Sequence, residues 1–140
     1  MEGAGEMNQF PLRIVTPDGL QYDGNAEEVI VRTTTGDLGI LAGHVNCVAP
    51  LGMGKASIMI DGKMRYAACI GGMLSMMDGK ATLLATTFEW AEKIDVDRAT
   101  RSEERAKAVL ADSRSTDTDL RLAQARLKRA LIRKNVASGK

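Results

Sequence analysis

Glycine punctuates this chain as far as Gly79 and then disappears until Gly139. That change of alphabet constrains the fold more than any other feature, because it separates a region built for turns from one built for helices. Before it, turn signals recur at short intervals: Pro17-Asp18-Gly19, Gly36-Asp37, Pro50 with Gly52, Asp61-Gly62, Gly71-Gly72 and Asp78-Gly79. Short strands between such signals predict an antiparallel sandwich or barrel. Lys55–Ile60, Lys63–Ile70 and Met73–Met77 follow one another with minimal loops and read as meander hairpins. Glu27–Thr35 alternates Val29, Val31 and Thr33 with Ile30, Arg32 and Thr34, the pattern of a strand with one solvated face.

After Trp90 the residues become Ala, Arg, Leu, Glu and Lys, all good helix formers. A first helix is predicted from about Val96 to Ala111, with Asp95 as N-cap and Ala99, Ala106, Val109 and Leu110 as a modest apolar stripe. The polar break Asp112-Ser113-Arg114-Ser115 precedes Thr116-x-x-Asp119, a capping box, so a second helix begins near Asp117. Its apolar stripe is Leu120, Ala123, Leu127, Ala130 and Leu131. Two helices joined by a short turn make an antiparallel hairpin. Strands followed by helices place the chain in the α+β class. A hairpin so rich in alanine buries little apolar area, which suits an element with two arrangements and a ligand or partner to choose between them.

Charge follows the same division. Residues 1–90 hold 6 Lys+Arg against 10 Asp+Glu, net −4, and residues 91–140 hold 13 against 8, net +5. The two regions are suited to different partners. The longest stretch without Asp, Glu, Lys or Arg runs from Leu38 to Gly54, contains His44, Asn46, Pro50 and four glycines, and is too short to span a bilayer. The opening Met1–Glu6 lacks the features of a signal or transit peptide, and residues 1–8 read as a disordered terminus or a cloning scar. Cys47 and Cys69 stand in apolar runs and read as buried free thiols rather than a disulfide or metal pair. The single histidine, His44, has a structural role as its expected reading, and no nucleophile has a base at a recognisable spacing, so the chain is not expected to be an enzyme.

The words Val15-Thr16-Pro17-Asp18-Gly19 with Tyr22, Gly36 through His44, Ala49-Pro50-Leu51, Gly71-Gly72 and Ile94-Asp95-Val96-Asp97-Arg98-Ala99 together resemble the epsilon chain of bacterial F-type ATP synthase, in the same order and from about Phe10 onward. One departure is Asn46, where many members place a proline. The resemblance implies a ten-stranded β-sandwich over residues 9–88 and a regulatory helical hairpin over residues 89–140. It implies a place in the rotating central stalk, with the sandwich bound to the gamma subunit and the rotor c-ring. The hairpin would fold on the sandwich or extend along gamma to reach the beta and alpha subunits, the extended form blocking ATP hydrolysis. It also implies a peripheral position on the cytoplasmic face of a bacterial plasma membrane, in a complex that couples proton flow to ATP synthesis.

Some members of that family bind ATP on the folded hairpin without hydrolysing it. Carried over residue by residue, the site comprises Glu89, Asp95, Arg98, Arg105, Arg129 and Arg133, with ATP as a regulatory ligand and no cofactor required. Arg98 and Arg105 share a helix face, as do Arg126 and Arg133, with Arg129 between them, and guanidinium forks suit a triphosphate. Glu89 and Asp95 would accept hydrogen bonds from adenine or ribose. From spacing alone the arginines fit better as the solvated faces of two exposed helices or as contacts to protein partners, and it is the motif match that raises the ATP site beside that reading. A competing class is nucleic-acid binding through the basic hairpin, against which stand the acidic strand region and a chain only 4% aromatic.

Overall fold

A computed structural model of the chain, which describes residues 8–139, divides it between Trp90 and Ala91 into a strand unit and a helix unit. Of the segment expected to be disordered, residues 1–7 lie outside the described residues.

The strand unit contains β1 (Phe10–Thr16), β2 (Gly19–Ala26), β3 (Glu28–Thr33), β4 (Gly36–Leu41), β5 (Cys47–Pro50), β6 (Met53–Ile60), β7 (Lys63–Met77) and β8 (Lys80–Trp90). They form one sheet in the order β2-β1-β8-β7-β6-β3-β4, with β5 also on β7. Neighbours are antiparallel except β1 and β8, which run parallel with Leu12 opposite Ala81 and Val15 opposite Leu84. The turns Asp61-Gly62 and Asp78-Gly79 have positive φ at both positions and span two residues between paired strands, the geometry of type I′ hairpins.

The structure corrects two expectations about strands. Lys63–Ile70 and Met73–Met77 are one fifteen-residue strand, and Gly71-Gly72 is a kink within it instead of a reverse turn. Both glycines have positive φ, and β7 stays in register with β8 on either side of them. Across the kink the buried positions switch from Ala67 and Cys69 to Leu74 and Met76, an even-for-odd exchange. Next to it β8 makes the same exchange between Ala85 and Phe88, and the break between β5 and β6 falls at Leu51-Gly52, where Leu51 N–H donates to the Gly72 carbonyl at 2.9 Å and Gly71 N–H to that of Gly52 at 3.0 Å. The sheet folds over along this line, and both halves bury their inner faces in one core that includes Leu12, Ile14, Val29, Val31, Ile40, Ile58, Leu74, Met76 and Leu83. Among the described residues eight strands therefore stand where ten were expected, because β7 and β8 run unbroken through the corner and serve both layers.

Val29, Val31 and Thr33 are buried while Arg32 is exposed, as the alternation predicts. Cys69 is buried, and burial pushes its thiol up to about 12, leaving it inert at neutral pH. Cys47 is only half-buried, because β5 lies at the margin of the sheet, paired on one side with β7.

The helix unit opens with a 3-10 turn, Ala91–Lys93, and continues as α1 (Val96–Ala111) and α2 (Asp117–Ala137). Both starts are fixed by side chains. Asp95 accepts from the Arg98 N–H at 3.0 Å, and Thr116 and Asp119 complete a reciprocal capping box at 3.1 and 3.0 Å. Ser115 closes the turn by donating to the Val109 carbonyl at 2.7 Å. The seam buries Ala99, Glu103 and Ala106 of α1 and Ala123 and Ala130 of α2. Leu120 and Leu127 are half-buried, whereas Leu131 is 42% exposed, since the stripe drifts around a 3.6-residue helix and Val136 takes the buried place near the end.

Candidate functional site

The register of the two helices is set by a contact that neither stripe foretold. Glu103 lies in the alanine seam, four residues after Ala99 and three before Ala106, and its carboxylate accepts from Lys107 Nζ and Lys134 Nζ, each at 2.7 Å. Hydrogen bonding to Lys107, then to Lys134, holds its acid well below the ordinary carboxylate range, at about 2. A lone acid at i+4 and i−3 from two stripe alanines was the signal in the sequence.

The Glu103–Lys134 contact joins the middle of α1 to the last turn of α2. At about 100° per residue, Arg98 and Arg105 sit on one flank of the α1 seam, and Arg126, Arg129 and Arg133 sit on the flank of α2 that an antiparallel partner turns to the same side. By helix geometry the four carried-over arginines, 98, 105, 129 and 133, fall on the same side of the hairpin. Arg98 stands two turns back along α1, about 10 Å along the axis, so an extended anion rather than a compact one is needed to meet the whole set. Arg98 and Arg105 are exposed, and Arg129 and Arg133 are half-buried.

The two acids occupy different settings. Asp95 is exposed at the start of α1, where one oxygen caps the helix through the Arg98 N–H and the other remains available to a donor. Glu89 stands half-buried on β8, opposite Ala68 of β7, in the strand unit.

The strand unit carries a second feature, an apolar row on its outward face. Leu20, Val15, Leu84, Met73 and Pro50 are successive register partners across β2, β1, β8, β7 and β5. Leu20 is 58% exposed and Leu84 52%, and Val48 and Met77 are exposed on the same face. Apolar side chains contiguous over five strands, all exposed except the half-buried Val15, mark a contact surface. His44 lies in the loop before β5, its Nδ1 2.8 Å from the Val45 carbonyl and 3.9 Å from Cys47 Sγ. Asn46, the departure from the usual proline, accepts from the Asp78 N–H at 2.9 Å and so ties this loop to the β7–β8 turn.

Two family sequence models match the chain. One, described as ATP synthase, Delta/Epsilon chain, beta-sandwich domain, covers residues 9–91, and the other, described as ATP synthase, Delta/Epsilon chain, long alpha-helix domain, covers residues 92–138. Among curated relatives, the ATP synthase epsilon chain of Bacillus velezensis is 45% identical over 131 residues, covering 94% of this chain and 98% of that one. The epsilon chain of Caldicellulosiruptor bescii is 40% identical over 131 residues, with 94% and 95% covered, and that of Ruminococcus albus 39% over 135 residues, with 96% and 100% covered. The fold is similar to a chain of the Euglena gracilis mitochondrial ATP synthase, with a TM-score of 0.79, 21% identity, and 94% of this chain and 82% of that one covered. It is also similar to a chain from the central stalk and c-ring of the Tetrahymena thermophila mitochondrial ATP synthase, with a TM-score of 0.63, 12% identity, and 91% and 95% covered.

Proposed function

The chain belongs to the epsilon-chain family of ATP synthases, and from that premise we propose that it is a non-catalytic central-stalk subunit whose strand unit docks on the rotor and whose hairpin regulates ATP hydrolysis. The observation that carries the reading is the division of labour between the two units: a rigid sandwich with an outward apolar row, and a basic hairpin with a thin seam. The apolar row supports docking on the gamma subunit, and the sandwich as a whole supports a place beside the c-ring. The second helix carries Arg121, Arg126, Lys128, Arg129, Arg133 and Lys134 with no acid after Asp119, which suits an acidic surface on the catalytic beta and alpha subunits. The complex would hold the chain peripherally at the cytoplasmic face of a bacterial plasma membrane. Among the described residues no helix is long and apolar enough to cross a membrane. The nucleic-acid reading finds no support in these relatives.

ATP is the regulatory ligand in this reading. Arg105, Arg129 and Arg133 would take the triphosphate, Arg98 would reach its far end or the ribose, and Asp95 and Glu89 would accept from ribose or adenine donors. A ligand that binds only the compact hairpin stabilises it by RT ln(1+[L]/Kd). Calorimetric titration of the full chain with ATP tests this, with Arg129→Ala and GTP as controls. Saturable binding lost in the variant supports an ATP-sensing subunit, and no heat at millimolar ATP removes ATP from the proposal. Co-purification with gamma tests the docking.

A further inference from the structure

Alanine predominates among the buried residues of the hairpin seam, and Glu103 is the one charged residue among them. Glu103 is 8% exposed, and its two oxygens are shared out: Oε2 accepts from Lys107 on its own helix and Oε1 from Lys134 across the seam. A leucine at this position would bury more apolar surface and join the helices more tightly. A buried ion pair adds little net stability, because desolvation offsets most of its attraction. It gives the seam reversibility instead. Parting the helices exposes small alanines and three charged groups that water solvates well, with Val136 and the half-buried Leu120 and Leu127 as the larger apolar side chains.

The same pair has a second consequence. Lys134 belongs to the basic run of α2, and in the compact hairpin its charge is already met by a carboxylate of the same chain, while Arg121, Arg126, Lys128 and Arg129 form no ion pair among the described residues. An acidic partner surface must take Lys134 from Glu103 before it can engage the whole helix. This inference rests on the reading of the hairpin as an element that opens towards an acidic partner. We propose that Glu103 is a built-in acidic competitor: it occupies Lys134 in the compact hairpin and thereby sets how readily α2 passes to an acidic protein surface of the rotary complex.

Two readouts test this. One is the distance between spin labels at Glu104 and Asn135, both exposed, in the full chain with Cys47→Ser and Cys69→Ala. The other is ATP hydrolysis by the synthase reconstituted with each unlabelled variant. Circular dichroism checks that every variant is helical. Glu103→Gln, which keeps the shape and removes the charge, is expected to raise the open-to-compact ratio about tenfold and to lower residual hydrolysis several-fold. Lys134→Gln opens the hairpin comparably without deepening inhibition, since it also removes the cation the partner would take. Lys107→Gln leaves the distance distribution within about twofold of the wild type, because its pair does not cross the seam.

A Glu103→Gln distance distribution identical to wild type overturns the proposal. So does opening without deeper inhibition in a complex that the wild-type chain does inhibit. A wild-type chain that inhibits nothing defeats the regulatory reading instead, and the distances still decide whether Glu103 holds the helices together.

Discussion

Gly72 lies so close to β8 that a side-chain carbon on it would collide with the Leu84 carbonyl oxygen and approach the Ala85 Cα to 2.9 Å. The contact joins two strands at the corner where the sheet folds over, and the glycine's φ of 109° is one that other residues rarely adopt. Gly72→Ala should therefore combine backbone strain with a clash against main chain that cannot swing aside. A loss of about 3 kcal/mol or more is expected, lowering the thermal midpoint of the sandwich by roughly 10 °C or more. Near-ultraviolet circular dichroism, dominated by Trp90, reads the transition. A midpoint within about 2 °C of wild type would show that the corner can relax.

Thr116 and Asp119 satisfy each other's backbone donors at the start of α2. Thr116→Ala removes the cap and should cost the hairpin about 1 kcal/mol. The strand unit should melt as before, so the far-ultraviolet helical transition moves while the near-ultraviolet one does not. A shift of both together would contradict the separation of the two units.

Acid should loosen the hairpin through Glu103. Its folded carboxyl takes a proton only near pH 2, held down by Lys107 and then Lys134, whereas in the unfolded chain it does so near 4.5. The stabilisation is complete above pH 4.5 and is lost as the pH falls towards 2. The helical midpoint should drop over that window, and Glu103→Gln should flatten the dependence. An equal acid slope in the variant would assign the effect to other carboxylates.

Leu84 and Met73 are register partners in the exposed apolar row. Leu84→Lys should leave the thermal midpoint within about 0.5 kcal/mol of wild type, as surface changes do, while weakening association with gamma by tenfold or more. Pull-down with gamma against a thermal-shift control separates the two effects. Undiminished capture of gamma would move the docking surface to another face.

What could be read directly from the sequence was set by local chemistry. Asp95 and Thr116-x-x-Asp119 fix helix starts through bonds to residues three positions on, and the I′ turns follow from Asp-Gly pairs, so Val96, Asp117, Asp61-Gly62 and Asp78-Gly79 were found in place. The misses are tertiary. Gly71-Gly72 has the same composition as a turn, and only the neighbouring Leu51, Gly52 and Leu84 make it a kink in a continuous strand. The arginine flank was visible as spacing, but the contact that ties α1 to α2 was not, because Glu103 finds its lysine partner thirty-one residues away. The row from Leu20 to Pro50 could not be assembled without the register of five strands, one of them parallel.

The parallel pairing of β1 with β8 also governs the order of events on the ribosome. β1 has the last strand of the unit as its neighbour, so at roughly 5–20 residues per second it waits several seconds for that neighbour. During that interval β2 is the one native neighbour available to β1, leaving Leu12 and Ile14 uncovered on one side. Arg13 faces outward and pairs with Asp23 of β2 at 3.5 Å, so what waits for β8 is the other edge of β1, whose ladder the ribbon leaves open.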